Sequence, residues 1–305
     1  MKPTVIVIGG PTASGKSGLA VELAKKINGE IISADSMQIY KDMDIGTAKV
    51  TEKEKQGIPH YMIDIASPEE RYSVSTYKKE AENKVEEILK KGKIPIIVGG
   101  TGLYIESLIY GIEFQEEEID EEYRQRLNEF AEKEGLEKLY NEAQKIDSQA
   151  MDKISPNDKK RIIRVLEIYH KTGKTKTEQE IESRKHEVKY NYKLFAITME
   201  RSELYKKIEK RIDKMLEEGL IEEVESIKKK YNKFPTAMQG LGYKEVVEYL
   251  ENKITKEEMI EKLKKETRHY AKRQLTWFRK YKEMIWLDGE AGIEENVQII
   301  IKQMK

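Results

Sequence analysis

Apolar residues fall in short unbroken runs over the first hundred positions and in helical periodicity further along. Thr4 to Ile8 (TVIVI) is an apolar, β-branched run of the kind that forms a strand buried on both faces. A glycine-rich turn follows, then an amphipathic stretch over Gly18 to Ile27 that Asn28-Gly29 would end as a helix. Glu30 to Ala34 (EIISA) and, more weakly, Tyr61 to Ile65 (YMIDI) predict further strands. Ser75 to Lys91 reads as a helix closed by Gly92, and Ile94 to Val98 (IPIIV) as a buried strand running into Gly99-Gly100-Thr101-Gly102. Strands alternating with helices predict an α/β fold with a parallel sheet and right-handed crossovers.

The pattern changes after Gly111. Residues 116–122 (EEEIDEE) are acidic, and the chain from there to about residue 190 is polar, helical and poor in strands. Leu194 to Thr198 (LFAIT) predicts a return to the sheet, helices dominate from Ser202 to Tyr281, and Met284 to Leu287 (MIWL) precedes a C-terminal helix. The expected organisation is a sheet core flanked by helices, made from residues 1–113 and 192–305, with a helical subdomain inserted at 114–191.

Composition narrows the chemistry. The 305 residues include no cysteine, which excludes disulfides, thiolate metal sites and a cysteine nucleophile and suits a reducing cytosol. The histidines His60, His170, His186 and His269 form no HxxxH or HxH pair, so a histidine-built metal site is not expected. No apolar run reaches membrane-spanning length and the chain begins almost directly with a strand. It therefore reads as a soluble cytoplasmic protein without a membrane partner, and a monomer is the simplest assembly. Charged residues make up 37%, much of it Lys and Glu, as in long solvated helices. Lys plus Arg balances Asp plus Glu at 56 each, so a nucleic-acid partner would have to be held by a local patch.

Gly10-Pro11-Thr12-Ala13-Ser14-Gly15-Lys16-Ser17 matches the phosphate-loop pattern GxxxxGK[ST], directly after one predicted strand and before a helix. Glycines let the backbone wrap a phosphate, and a helix N-terminus offers unpaired N–H groups and the positive end of a dipole. Lys16 would reach phosphate oxygens, and the Ser17 hydroxyl would ligate Mg2+. The fold class is thus a P-loop-type parallel sheet. The loop indicates a polyphosphate without distinguishing a nucleotide such as ATP from another diphosphate. Asp35-Ser36-Met37-Gln38 follows the second strand, where the carboxyl ends of parallel strands line a ligand crevice. A carboxylate at Asp35 could take a proton from a nucleophile, bind Mg2+, or serve as a turn or helix cap.

GPTASGKS, ADSMQIYKDMDIGTAK (Ala34 to Lys49), HYMIDI (His60 to Ile65) and VGGTGLY (Val98 to Tyr104) resemble the tRNA dimethylallyltransferase, or tRNA isopentenyltransferase, family in order and spacing. So do SPNDKKRIIRVLEIY (Ser155 to Tyr169), RIDKMLEEGLIEEV (Arg211 to Val224), QGLGYKE (Gln239 to Glu245) and AKRQLTWFRK (Ala271 to Lys280), which extends the resemblance over nearly the whole chain. The resemblance implies transfer of dimethylallyl from dimethylallyl diphosphate to N6 of the adenosine 3′-adjacent to the anticodon, position 37. That adenosine would be flipped out of the anticodon stem-loop. It further implies Asp35 as general base, Thr101 near the amine, and Arg211 and residues 10–17 on the diphosphate. It implies tRNA contacts from Asp35 to Gln38, with Gln38 suited to an adenine edge. Further implied contacts are Thr101, Tyr123, Lys159, Lys160, Arg161, Ile162, Ile163, Gly240, Leu241, Gly242, Tyr243, Lys244, Lys272, Arg273, Gln274, Trp277 and Arg279.

Residue types alone leave alternatives beside these roles. Arg211 lies in a charge-rich amphipathic stretch and could be a solvated helix arginine, and Thr101 could cap a helix. Residues 268–282 (RHYAKRQLTWFRKYK) hold six Lys or Arg, no acid, and Tyr270, Trp277, Phe278 and Tyr281. Bases can stack on such aromatics and phosphates can pair with such cations, yet a core helix with a solvated basic face reads the same way. Two other functions compete: a small-molecule enzyme (nucleotide kinase or adenylate isopentenyltransferase), and an RNA-binding P-loop ATPase. The ATPase lacks an apolar strand ending in Asp, Ile63-Asp64 being its only loose candidate.

Overall fold

The computed structural model describes residues 2–114, 120–183 and 187–304. His186 and most of the acidic stretch, residues 116–119, lie outside them. Contacts divide the chain into two compact units, one of residues 1–109 with 188–305 and one of residues 110–187.

In the first unit the chain forms β1 (Thr4–Gly9), α1 (Lys16–Ile27), β2 (Gly29–Ser33), α2 (Glu52–Lys55), β3 (His60–Tyr61), α3 (Val74–Lys90), β4 (Ile94–Val98) and α4 (Gly102–Ile109). The second unit holds α5 (Glu121–Glu134), α6 (Leu136–Ile146), α7 (Ser148–Met151), α8 (Lys159–Thr172) and α9 (Lys176–Ser183). The first unit resumes with β5 (Asn191–Thr198), α10 (Arg201–Glu217), α11 (Leu220–Lys230), α12 (Tyr243–Leu250), α13 (Lys256–Phe278), β6 (Ile285–Asp288) and α14 (Ile293–Met304). The sheet has six strands in the order β3-β2-β4-β1-β5-β6, and every pair is parallel.

Alternation along β1 builds a core on each face. Val5 and Val7 pack with Ile32, Ile97, Ala196 and residues of α3, α4 and the end of α13. Ile6 and Ile8 pack with Ile31, Ile96, Phe195 and the apolar sides of α1 and α14. Strands covered on both faces need apolar residues at every position, which is why β1 and β4 read as unbroken runs. A third cluster unites Ile39, Tyr40 and Met43 with α10 to α13. The helical unit has its own core, centred on Leu139, Ala143, Met151, Ile162 and Val165.

The expected strand over Tyr61 to Ile65 is corrected. It ends after Tyr61 because Met62 and Asp64 take left-handed conformations, φ 62° and 56°, that no strand accommodates. Asp64 pairs with Lys49 at 2.5 Å instead. Helix α1 begins at Lys16, two residues before the expected Gly18, and Asn28 in the left-handed conformation ends it. No helix among the described residues is long and apolar enough to cross a membrane.

The ends of β2 and β4 approach closely. Thr101 N–H donates to the Ala34 carbonyl at 3.1 Å, and a methyl on Gly99 would lie 2.1 Å from that carbonyl oxygen. The obstacle is the Ala34 backbone, so no side-chain rotation relieves the clash. Gly99→Ala is expected to destabilise the protein by about 1–3 kcal/mol in urea unfolding. An unchanged midpoint would show that the strand ends part freely.

Candidate active site

The loops after β1, β2 and β4 all open at the carboxyl end of the sheet, and α10, α12 and α13 close over them around a cavity of about 360 Å³. In a parallel sheet this edge gathers loops from strands distant in sequence.

The loop after β1 turns through Gly10 (φ 138°), Ala13 (φ 62°) and Gly15 (φ 88°) before α1 begins. The first turn of α1 leaves its N–H groups without intrahelical partners, beside the cavity. Lys16 folds across the loop and donates to the Pro11 carbonyl at 2.6 Å. Ser17, exposed, is on the same turn and lines the cavity. Arg211 enters from α10, with Nη2 3.5 Å from the Thr47 carbonyl. Ser14 Oγ and Arg211 Nε are buried without a hydrogen-bond partner among the described residues. Such groups carry a desolvation cost that an arriving anion would remove. Burial, reinforced by nearby Arg211 and opposed by Asp35, pushes the Lys16 ammonium down to about 7. Burial also lowers the Arg211 guanidinium from its ordinary value, with Asp35 and Glu54 opposing.

Asp35 follows β2 and lines the same cavity. Its Oδ1 accepts Met37 N–H at 2.9 Å and Gln38 N–H at 3.4 Å, a turn that fixes the carboxylate. Thr101 stands beside it: Oγ1 accepts Ser36 N–H at 3.0 Å and lies 3.3 Å from Ser36 Oγ. The Thr101 carbonyl, not the hydroxyl, meets the first amides of α4, so the side chain is spent on the β2 loop rather than on a helix cap. Arg211 is likewise no solvated helix arginine, since it lines the cavity.

Several of the expected RNA contacts are engaged within the chain, though Gln38 and Gln274 also line the cavity. Ile162 and Ile163 sit in the core of the helical unit, leaving Lys159, Lys160 and Arg161 as the outward part of that segment. Tyr243 is fully buried, its hydroxyl donating to Glu223 at 2.6 Å. Gln274 is buried and engaged within the chain at both ends of its amide. Gln38 is engaged as well: Ser33 Oγ donates to its Oε1 at 3.1 Å, and its Nε2 faces the Thr47 and Ala48 carbonyls at 3.3 and 3.4 Å. Its amide is therefore not presented to an adenine edge in this arrangement. Tyr123 stacks on His170 at 3.8 Å.

The basic, aromatic segment divides by face. Lys272, Arg273 and Arg279 are exposed, while Phe278 and Tyr281 are in the core. Trp277 lies against Gly102, donates to the Tyr281 hydroxyl at 3.0 Å, and carries Lys280 4.2 Å above its ring. Gly240, Leu241, Gly242 and Lys244 all line the cavity, and Lys244 pairs with Glu245 at 3.3 Å. Asp64, the loose candidate for an ATPase carboxylate, is on the Lys49 pair and not among the lining residues.

Sequence reasoning missed Thr47 and the apolar residues Ile208, Ile212, Met215 and Leu263, all of which line the cavity, as does Tyr270 of the basic, aromatic segment. The apolar four follow the helical spacing of α10 and α13, a signal any core helix also gives. Burial lifts the Tyr270 phenol well above its ordinary value; nearby Asp35 adds to this, and hydrogen bonds with Thr101 and Gln274 oppose it.

Fold and site together define an α/β protein with a glycine-rich anion loop facing a carboxylate across a partly apolar cavity. The model of the IPP transferase family matches residues 38–281, and the chain belongs to that family. It is 51% identical over 302 residues to the tRNA dimethylallyltransferase of Acetivibrio thermocellus, covering 99% of this chain and 96% of that protein. The crystal structure of tRNA delta(2)-isopentenylpyrophosphate transferase from Staphylococcus epidermidis superposes with a TM-score of 0.73 at 43% identity, covering 99% of both chains. A eukaryotic dimethylallyltransferase, solved acting on tRNA, gives a TM-score of 0.77 at 34% identity over 94% of this chain and 74% of its own. The family resemblance drawn from the motifs holds.

The lowered Lys16 value gives a measurable sign. Above about pH 7 the free site holds a neutral amine, and a bound polyanion would return the proton. Affinity for inorganic diphosphate, followed by calorimetry, is expected to weaken above that pH by up to about tenfold per unit. The added slope should vanish in Lys16→Met. Identical slopes in both proteins would show that Lys16 stays charged throughout.

Proposed function

We propose that this protein transfers the dimethylallyl group of dimethylallyl diphosphate to N6 of adenosine 37 of tRNA, 3′-adjacent to the anticodon, releasing diphosphate. The observation that carries the reading is a single cavity in which Lys16 and Arg211, an apolar wall and the Asp35 carboxylate meet. A prenyl diphosphate has the matching parts in one molecule: a polyanion, then an apolar tail with an electrophilic carbon between.

Lys16, Arg211 and the loop amides bind the diphosphate and stabilise the charge that grows as the C1–O bond breaks. Ile208, Ile212, Met215 and Leu263 shelter the dimethylallyl group, and excluding water there protects an allylic carbon that carries positive charge. N6 is a weak nucleophile because its lone pair is delocalised into the ring. Asp35 accepts its proton as the N6–C1 bond forms, with Thr101 orienting the amine.

The loop also fits Mg2+. Ser17 supplies one hydroxyl, and the described residues contain no cluster of three or more His, Asp or Glu. The ion would rest mainly on diphosphate oxygens and water, as Mg2+ commonly does. When bound, it neutralises charge on the leaving diphosphate. The reading puts the reaction in the cytoplasm, with a monomer as the simplest assembly.

The test is nucleoside mass spectrometry of unmodified tRNA after incubation with protein, Mg2+ and dimethylallyl diphosphate. The expected product is N6-dimethylallyladenosine. Product from free AMP but not from tRNA would instead indicate an adenylate isopentenyltransferase. Asp35→Ala is expected to slow single-turnover transfer by about 10²–10⁴-fold with tRNA affinity largely kept. Equal loss of binding and rate would remove the general-base role. Replacing both Lys272 and Arg273 by Ala is expected to weaken tRNA binding and to reduce the log–log salt slope by about two. An unchanged slope would exclude that exposed face as an RNA contact.

A further inference from the structure

Gln274 sits on the buried side of α13, between two exposed neighbours, Lys272 and Arg273, and the half-buried Trp277. Its amide joins two separate loops. Oε1 accepts Thr12 N–H from the glycine-rich loop at 2.8 Å, and Nε2 donates to the Gly100 carbonyl of the β4 loop at 3.0 Å. The sheet connects these loops at their roots, where Gly99 N–H donates to the Ile8 carbonyl at 3.2 Å. Beyond that bond the Gln274 amide bridges them. A primary amide carries a donor and an acceptor side by side, which a carboxylate or hydroxyl of the same reach does not reproduce. Tyr270, one turn earlier on α13, lines the same cavity as Thr12, Gly100 and Gln274. The fit is tight: a methyl on Gly100 would lie 2.0 Å from Gln274 Nε2, with its next neighbours at 3.2 Å and beyond.

We infer that Gln274 is a positioning residue that sets the separation between the anion loop and the loop bearing Thr101, rather than a contact to RNA. The inference rests on the transfer reaction proposed above. In that reaction Thr12 belongs to the loop on the leaving diphosphate and Thr101 stands at the attacking amine. The distance between the two loops is therefore the distance over which the prenyl group must be held in line. Thr12 N–H, turned toward Gln274, is also withdrawn from the anion, which fixes the direction of the loop's remaining amides.

The experiment is single-turnover transfer from dimethylallyl diphosphate to an anticodon stem-loop RNA by the full chain. Wild type is compared with Gln274→Ala, Gln274→Glu, Gly100→Ala and the Gly100→Ala/Gln274→Ala double variant. Stem-loop affinity, inorganic diphosphate affinity and thermal melting are measured on each. Gln274→Ala and Gln274→Glu are expected to slow transfer by about 10–100-fold, with both affinities within about twofold of wild type. Gly100→Ala should do the same, because its methyl displaces the amide. The double variant should be no slower than Gln274→Ala, because the truncated side chain leaves room for the methyl. Single variants at the wild-type rate would overturn the inference. So would stem-loop affinity falling as far as the rate, or additive losses in the double variant. If Gln274→Ala melts below the assay temperature, Gln274→Glu, which keeps the volume and the acceptor, decides with Gly100→Ala. A wild-type protein without transfer would instead overturn the functional reading, whereas a transferring wild type with equally active variants would overturn the positioning role alone.

Discussion

Lys16 and Arg211 share one cavity, and the rest of the site follows from the need to keep them there. Lys16 and Arg211 repel each other and lose hydration; Asp35 is the carboxylate that offsets both, with Glu54 adding to it at Arg211. Removing one charge from water costs several kcal/mol on the order-of-magnitude scale for buried ions. Lys16 accordingly has its ammonium pushed down to about 7, and Arg211 Nε and Ser14 Oγ have no hydrogen-bond partner among the described residues. A site built at that expense discriminates: a polyanion repairs every deficit at once, and water does so poorly.

The parallel sheet makes the arrangement possible. Its carboxyl edge brings together the loops after β1, β2 and β4, whose residues are far apart in sequence, while β1 and β4 stay fixed by apolar packing on both faces. Helices α10 and α13 then close the cavity and contribute apolar side chains beside the cations. An apolar lining next to charge is costly in an open cleft, since it strengthens repulsion as well as attraction. It becomes useful when the ligand combines a polyanion with a small hydrocarbon.

The segment over residues 268–282 shows how competing uses of one sequence are decided. Full burial of a Phe is worth about 1.5–3 kcal/mol in every folded molecule. Stacking on an unpaired base returns about 1–3 kcal/mol, and only while RNA is bound. Phe278 and Tyr281 accordingly went to the core, and the charged residues between them stayed in solvent. The same reasoning accounts for Ile162 and Ile163, apolar members of a segment whose basic residues face outward.

The sequence by itself determined the alternation of strands and helices, the glycine-rich loop with Lys16 and Ser17, and the position of Asp35 just past β2. Each is local: an apolar run, a turn that needs glycine, or a residue a fixed number of positions from a strand end. It mistook Tyr61 to Ile65 for a full strand because two left-handed residues, Met62 and Asp64, have no reliable sequence signal. Tertiary structure decided what depends on partners distant in the chain. Arg211, which as a residue type reads as solvated, was drawn into the cavity by α10. Gln38 and Gln274, whose amides suit a base edge, were satisfied by Thr47, Thr12 and Gly100. Thr47 and the apolar wall entered the site unannounced. A side chain's type fixes what it can bind, but only packing fixes what lies within 3 Å of it, and hydrogen bonds fade beyond that distance.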